Sequence, residues 1–260
     1  MEIADHIDAL RHQGDLLADA ARRSGLDVAV PPCPRWQVMD LLRHVGYIHR
    51  WAARHITERS SQIIEGPPEE EILRGGASDP GLLAWFRAGH AALVETLAAA
   101  DPAVECATFM PAPSPLAFWA RRQAHETAIH RADAELASRA APEYPPDFAA
   151  DGIDELITGF GMRRKYQPQV GSAAGGGLLR VFAADTGDAW SIAAHQGRLQ
   201  PQREPHGDAA EAAGCTVTGP ASGLYLYLWN RAAAAEADVV IIGDPALLSR
   251  WQEAVRVRWG

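Results

Sequence analysis

Apolar residues recur at helical spacing through the first half of the chain, and they predict a series of long amphipathic helices. Residues 2–24 place Ile3, Ile7, Leu10, Leu16 and Leu17 on one such face, and Gly25 ends the run. Prolines 31, 32 and 34 keep the segment 28–34 non-helical. A second helix is predicted over 35–60. On a wheel of about 100° per residue, Leu41, Val45, Ile48, Trp51 and Ala52 form its inner face, with Arg43, Arg50 and Arg54 on the flank. The same wheel turns His44 and His55 inward and leaves His49 exposed. His44 and His55 are separated by roughly 16 Å along the axis at 1.5 Å per residue, so one ion cannot use both.

Residues 61–80 read as a loop, with turn signals at Gly66-Pro67-Pro68 and Gly75-Gly76 and a solvated charge run in GPPEEE. A third helix over 79–99 starts at Asp79-Pro80, with proline in the first helical position. The proline-rich stretch 101–115 connects it to a fourth helix, Trp119 to Arg139, and that helix stops before Pro142. APEYPPD (141–147) is the expected domain boundary, giving one domain over 1–145 and another over 146–260.

Beyond a helix predicted over 147–165 and a glycine-rich loop at 171–177, the period shortens to that of strands. Segments 178–185 and 188–195 pair across Thr186-Gly187, and 197–204 adds a third strand. CTVTG (215–219) is a short strand, and VVIIG (239–243) reads as a buried one. Helices are expected over 220–232 and over 244–257, the latter with Asp244 as N-cap and Pro245 behind it. The fold class is therefore an all-helical four-helix bundle followed by a smaller α+β domain.

The fourth helix carries the chemistry. With Glu126 at zero on a wheel of about 100° per residue, His130 falls near ~40° and Asp133 near ~−20°, on the side that holds Trp119 and Ile129. Arg121, Arg131, Glu135 and Arg139 point the other way, toward an expected charged outer face. A buried carboxylate is costly unless it is paired or bound to a metal. Glu126 and His130, on successive turns, are close enough to share one ion or to form a core hydrogen-bonded pair. Adding the inward His44 gives two imidazoles and a carboxylate, a donor set that suits a catalytic zinc with an open position. Asp133, one turn from His130, is placed either to orient its ring from the outer shell or to pair with Arg122.

Composition narrows the classes. The chain has 260 residues, 47% hydrophobic and 22% charged, which suits a globular protein with a normal core. Net charge is −9 and the only lysine is Lys165, which argues against nucleic-acid binding. No apolar run reaches the roughly 18 residues a membrane span needs, and the first residues lack a signal-peptide core, so a cytoplasmic protein is expected. Cys33, Cys106 and Cys215 show no C-x-x-C spacing and read as small buried hydrophobes. No G-x-S-x-G, P-loop or H-E-x-x-H motif is present.

Two stretches, WQVMDLLRHVGYIHRWA (36–52) and FWARRQAHETAIHRADAE (118–135), resemble the motifs of the mycothiol-dependent maleylpyruvate isomerase family. SGLYLYLWNR and VVIIGDPALLSRW resemble that family's second domain. The resemblance implies a DinB-like metal-binding bundle followed by a domain similar to sterol carrier proteins. Carried over by position, it places the metal ligands on His44, Glu126 and His130, and on Arg231 an arginine used toward an anionic substrate, whose plainer reading is a helix-surface charge. It implies a divalent metal, zinc or another ion accepting this donor set, and mycothiol as co-substrate. The expected activity is isomerisation or S-transfer on a small, electrophilic, unsaturated anion. The alternative is a non-catalytic small-molecule-binding protein on the same scaffold. Expected partners are that substrate and the thiol, with neither nucleic acid nor membrane.

Overall fold

Glu2 and Gln37 begin the first two helices in the same way. Each sits just outside its helix and exchanges hydrogen bonds with the residue three positions on, Asp5 and Asp40, in a capping box. These caps open α1 (Ile3–Ser24) and α2 (Val38–Glu58). They are followed by a short α3 (Glu69–Arg74), α4 (Asp79–Ala99) and α5 (Pro115–Ala137). The computed structural model describes residues 1–75, 79–163, 177–195, 198–204 and 213–255. The chain divides into two compact units, Met1–Pro142 and a second beginning at Glu143.

In the first unit α1 lies along α5 and α2 along α4, while α1 also touches α4 and α2 touches α5. The long helices thus close a four-helix bundle. Its core holds Leu10, Leu17, Leu41, Leu42, Leu82 and Phe86, all at 0% exposure. Each such side chain contributes about 1.5–3 kcal/mol by leaving water. The α1–α2 loop is also interior: Val30, Cys33 and Trp36 are buried, and an isolated bridge joins Ala29 to Gln37.

Three local expectations change. Within the expected 61–80 loop, Glu69–Arg74 form a helical turn, with Glu69, Glu70 and Glu71 at its N-terminal end, where the helix dipole favours them. α5 starts a turn earlier than its apolar pattern suggests, because Ser114 caps it and Pro115 fits the first position. The outer face of α5 is largely not solvated. Arg131 and Glu135 are buried, paired with each other at 2.9 Å, and Arg131 also donates to Gln13 Oε1 at 2.9 Å. α1 packs along that face, so its charges pair among themselves rather than with water.

The second unit opens with α6 (Pro146–Asp154), which runs into a π-helical turn (Glu155–Gly159) and a 3₁₀ turn (Phe160–Met162). A five-stranded sheet follows in the order β3-β2-β1-β4-β5. Its strands are β1 (Leu179–Ala183), β2 (Ala189–His195), β3 (Arg198–Glu204), β4 (Cys215–Gly219) and β5 (Val240–Gly243). β1–β2 and β2–β3 are antiparallel hairpin pairs, β1–β4 is parallel and β4–β5 antiparallel. α7 (Ala221–Leu228) precedes β5 and α8 (Pro245–Ala254) follows it. Asp244 caps α8 through Ala246 N at 2.9 Å. β5 is not the buried strand its apolar run implies. It lies at the sheet edge, and Val240 and Ile242 are 56% and 60% exposed. The glycine-rich segment 171–176 and Lys165 lie outside the described residues. Among the described residues no helix is long and apolar enough to cross a membrane.

Candidate metal centre

His44 comes from the middle of α2, and Glu126 and His130 from successive turns of α5. Packing of α2 against α5 brings the three together. His44 Nε2 and His130 Nε2 each lie 3.4 Å from Glu126 Oε1. One donor atom from each residue lies within 4.8 Å of the others, and all three side chains are buried. The two imidazoles meet edge to face at 5.1 Å between centroids.

The neighbours of these residues fix which atoms face inward. Arg122 Nη2 donates to Glu126 Oε2 at 2.7 Å, leaving Oε1 as the oxygen turned to the imidazoles. His130 Nδ1 donates to Asp133 Oδ2 at 2.8 Å, which turns Nε2 toward Glu126. Of the two roles open to Asp133 in the sequence, the fold selects orientation of His130, and Arg122 pairs with Glu126 instead. Trp36, from the α1–α2 loop, packs its ring 4.9 Å from His44 and 6.1 Å from His130.

Burial dominates the electrostatics and is opposed differently at each group. Desolvation lowers the His44 pKa despite its hydrogen bond to Glu126, which favours the neutral ring that can act as a ligand. Desolvation also pushes Glu126 upward, but hydrogen bonds from His130 and His44 and the charge of Arg122 outweigh it, and the carboxyl is held well below its usual range. His130 is pulled down by burial and raised overall by its bonds to Asp133 and Glu126.

Two imidazole nitrogens and one carboxylate oxygen form a donor set of the kind that binds zinc with a position left open. The spacing agrees. Ligand distances of about 2.0–2.1 Å at a tetrahedral ion imply donor–donor edges of about 3.4 Å. A relaxed charged N–H···O bond would instead close to about 2.7–2.9 Å. The residues therefore fit a divalent ion by chemistry and by the two imidazole–carboxylate separations.

Other predicted positions fall elsewhere. His55 uses both ring nitrogens locally, Nδ1 with Trp51 O at 2.9 Å and Nε2 with Ile64 N at 3.0 Å, so it is not a ligand. His49 is buried rather than exposed. It shares a hydrogen bond with Thr127 Oγ1 at 2.9 Å and faces the rings of Phe86 and His90 on α4. Arg231 belongs to the second unit, just beyond α7. It is buried rather than a surface charge, and its Nη1 donates to Trp229 O at 2.7 Å. Sequence reasoning missed the roles of Trp36 and Cys33. Cys33 is buried in the apolar core, and its Sγ also lies 3.9 Å from Asp133 Oδ2. Trp36 is the first residue of the 36–52 motif, and Cys33 stands three residues before it.

Comparison with known proteins matches both units. Residues 7–135 match the family model of the mycothiol maleylpyruvate isomerase N-terminal domain, and residues 147–250 match that of the MDMPI C-terminal domain. Together they define a two-domain thiol-dependent isomerase. The chain belongs to the mycothiol-dependent maleylpyruvate isomerase family of enzymes. Crystal structures show the same fold. A mutant of the mycothiol-dependent maleylpyruvate isomerase superposes with a TM-score of 0.62 at 13% identity, covering 93% of each chain. The isomerase itself gives 0.60 at 13% identity, over 89% of this chain and 90% of that one. No curated protein sequence matches the chain.

Proposed function

We propose that the protein is a divalent-metal-dependent isomerase or S-transferase that uses a low-molecular-weight thiol, mycothiol in this family, on a small unsaturated anionic electrophile. The carrying observation is the convergence of His44, Glu126 and His130, with each imidazole Nε2 3.4 Å from Glu126 Oε1 and all three donors within 4.8 Å of one another. Zinc is the ion favoured by this donor set. When bound, a divalent ion supplies the charge that keeps a coordinating thiol deprotonated at neutral pH.

The chain's own residues prepare that chemistry. Arg122 keeps Glu126 ionised and directs one oxygen inward. Asp133 holds the Nδ1 proton of His130 and so leaves Nε2 as the inward atom. Trp36 covers the imidazoles and excludes water from one side. Attack of the thiolate on the substrate forms a C–S bond while the C=C electron pair moves onto the conjugated carbonyl. Rotation about the new single bond and return of the electron pair expel the thiolate and give the other geometric isomer. Protonation at carbon instead retains the C–S bond, which is S-transfer. Arg231, matched by position to the family's substrate arginine, is assigned to the substrate's negative charge. No disulfide joins Cys33, Cys106 and Cys215, which suits the reducing, thiol-containing cytoplasm.

The test combines elemental analysis with turnover. Purified protein is expected to carry about one divalent ion per chain and to isomerise or conjugate members of an electrophile panel only when thiol is supplied. His44→Ala is expected to lose both properties. Wild-type protein that takes up no zinc, or that binds panel members without thiol-dependent turnover, would sink the proposal; the second outcome would identify a binding protein.

A further inference from the structure

The α1–α2 loop supplies none of the three donors, yet two of its side chains reach the centre they form. Cys33 is 1% exposed, and its Sγ lies 3.9 Å from Asp133 Oδ2, the same oxygen that accepts the His130 Nδ1 proton at 2.8 Å. Trp36 is 2% exposed and packs against both imidazoles.

The loop backbone leaves these side chains little freedom. Cys33 N donates to Val30 O at 3.0 Å, Trp36 N to Cys33 O at 2.8 Å, and Val30 N to Trp36 O at 2.9 Å. The bridge between Ala29 and Gln37 closes the segment, and Gln37 opens α2, the helix that carries His44. The positions of residues 33 and 36 are therefore set by the same hydrogen-bonded turn that starts the ligand helix.

Asp133 has 0% exposure, and a carboxylate so buried needs donors. A thiol is a weak donor and this contact is long, but in a dry interior even a long S–H···O contact favours the anion. Here it meets the oxygen already bonded to His130.

We propose that this loop is a positioning device for the metal centre. The Cys33 thiol and the His130 imidazole converge on Asp133 Oδ2. Together they fix the Asp133 rotamer, and through it the ring orientation and inward-facing nitrogen of His130. Asp133 and Cys33 are positioning residues. They act through His130 and touch neither ion nor substrate. The proposal rests on the metal reading given above.

The experiment uses full-length protein, zinc as the probe, and two readouts. Zinc affinity is measured by competition with a chromophoric chelator. The Nδ1 proton of His130 is followed by NMR in the metal-free protein. Asp133→Leu is expected to weaken zinc binding by about 10–100-fold, the usual effect of losing an outer-shell partner, and to abolish the Nδ1 proton signal. Cys33→Val keeps an apolar side chain of similar size but removes the donor. It is expected to weaken zinc by about threefold to tenfold, at the low end of outer-shell effects, and to broaden that signal.

Cys33→Val with wild-type affinity and an unchanged signal would show that Cys33 only packs, and would overturn the proposal. Unaltered zinc binding in Asp133→Leu would overturn it too. Should wild type bind no zinc, the metal reading falls by itself. The Nδ1 signal then still decides whether Cys33 and Asp133 hold His130, supporting the device if Cys33→Val broadens it and refuting it if not.

Discussion

Arg122 and Glu126 meet one turn apart on α5, Nη2 to Oε2 at 2.7 Å, and the two side chains are only 3% and 7% exposed. This contact neutralises the carboxylate on the side away from the imidazoles. Removing the guanidinium leaves the buried carboxylate only its two imidazole partners, and breaking such a pair costs up to about 3–5 kcal/mol. Arg122→Ala is therefore expected to lower the unfolding free energy of the metal-free protein by that amount. Arg122→Ala combined with Glu126→Gln is expected to recover most of it, because the buried charge that lost its guanidinium is gone. Denaturant titration of the four proteins measures the cycle, and additive losses would contradict the pairing.

The buried histidines of α2 and α4 make stability fall with acid. Burial holds His49 well below its ordinary pKa and lowers His90. Above the usual histidine value of about 6.5 both folded and unfolded chains are neutral at these sites, and stability is full. As pH falls below about 6.5, the unfolded chain takes up protons that the folded chain refuses, at roughly 1 kcal/mol per histidine per pH unit until the lowered folded value is reached. His130, whose pKa is raised, works in the opposite direction, so the informative quantity is the difference between variant and wild type. The double substitution His49→Gln and His90→Gln is expected to flatten the loss between pH 6.5 and 5 in urea titrations on metal-free protein. An unchanged slope would show that these rings do not resist protonation.

Gly14 in α1 lies directly against His90, and a Cβ there would come within 2.2 Å of the imidazole. Glycine to alanine inside a helix ordinarily stabilises by about 1 kcal/mol. Here overpacking reverses the sign, and Gly14→Ala is expected to destabilise by about 1–3 kcal/mol. In a His90→Ser background, where the ring is absent, the same change is expected to stabilise. Thermal unfolding of the two pairs checks the reversal.

Arg231 separates two kinds of contribution. If it serves the anion of the substrate, Arg231→Gln loses a charged hydrogen bond of about 1.5–3 kcal/mol and slows turnover of anionic substrates by roughly 10–100-fold. Neutral esters of the same electrophiles are expected to be much less affected, with metal content unchanged. Equal losses on both substrate types, together with a lowered melting temperature, would instead mark Arg231 as a structural partner of the Trp229 carbonyl.

Periodicity made much of the protein legible. The helix-rich first half, the strand-rich second half, the hairpin at Thr186-Gly187 and the inward turn of Glu126 and His130 all follow from local spacing, because the backbone repeat fixes which side chains share a face. His44 was legible for the same reason. What lay beyond reach was the identity of the neighbour covering each face. A wheel drawn on α2 leaves His49 in water, but α4 and Thr127 enclose it. A wheel drawn on α5 gives Arg131 and Glu135 to solvent, but α1 lies along them. An apolar run such as VVIIG reads as interior, whereas sheet order sets it at the edge.

By itself the sequence determined which residues were chemically able to form a centre and on which side of each helix they stand. Tertiary structure alone decided that His44 of α2 meets Glu126 and His130 of α5, and that a cysteine and a tryptophan of the α1–α2 loop close around them. The reason is physical: short-range geometry sets direction along one element, while the choice of partner depends on packing between elements far apart in the chain.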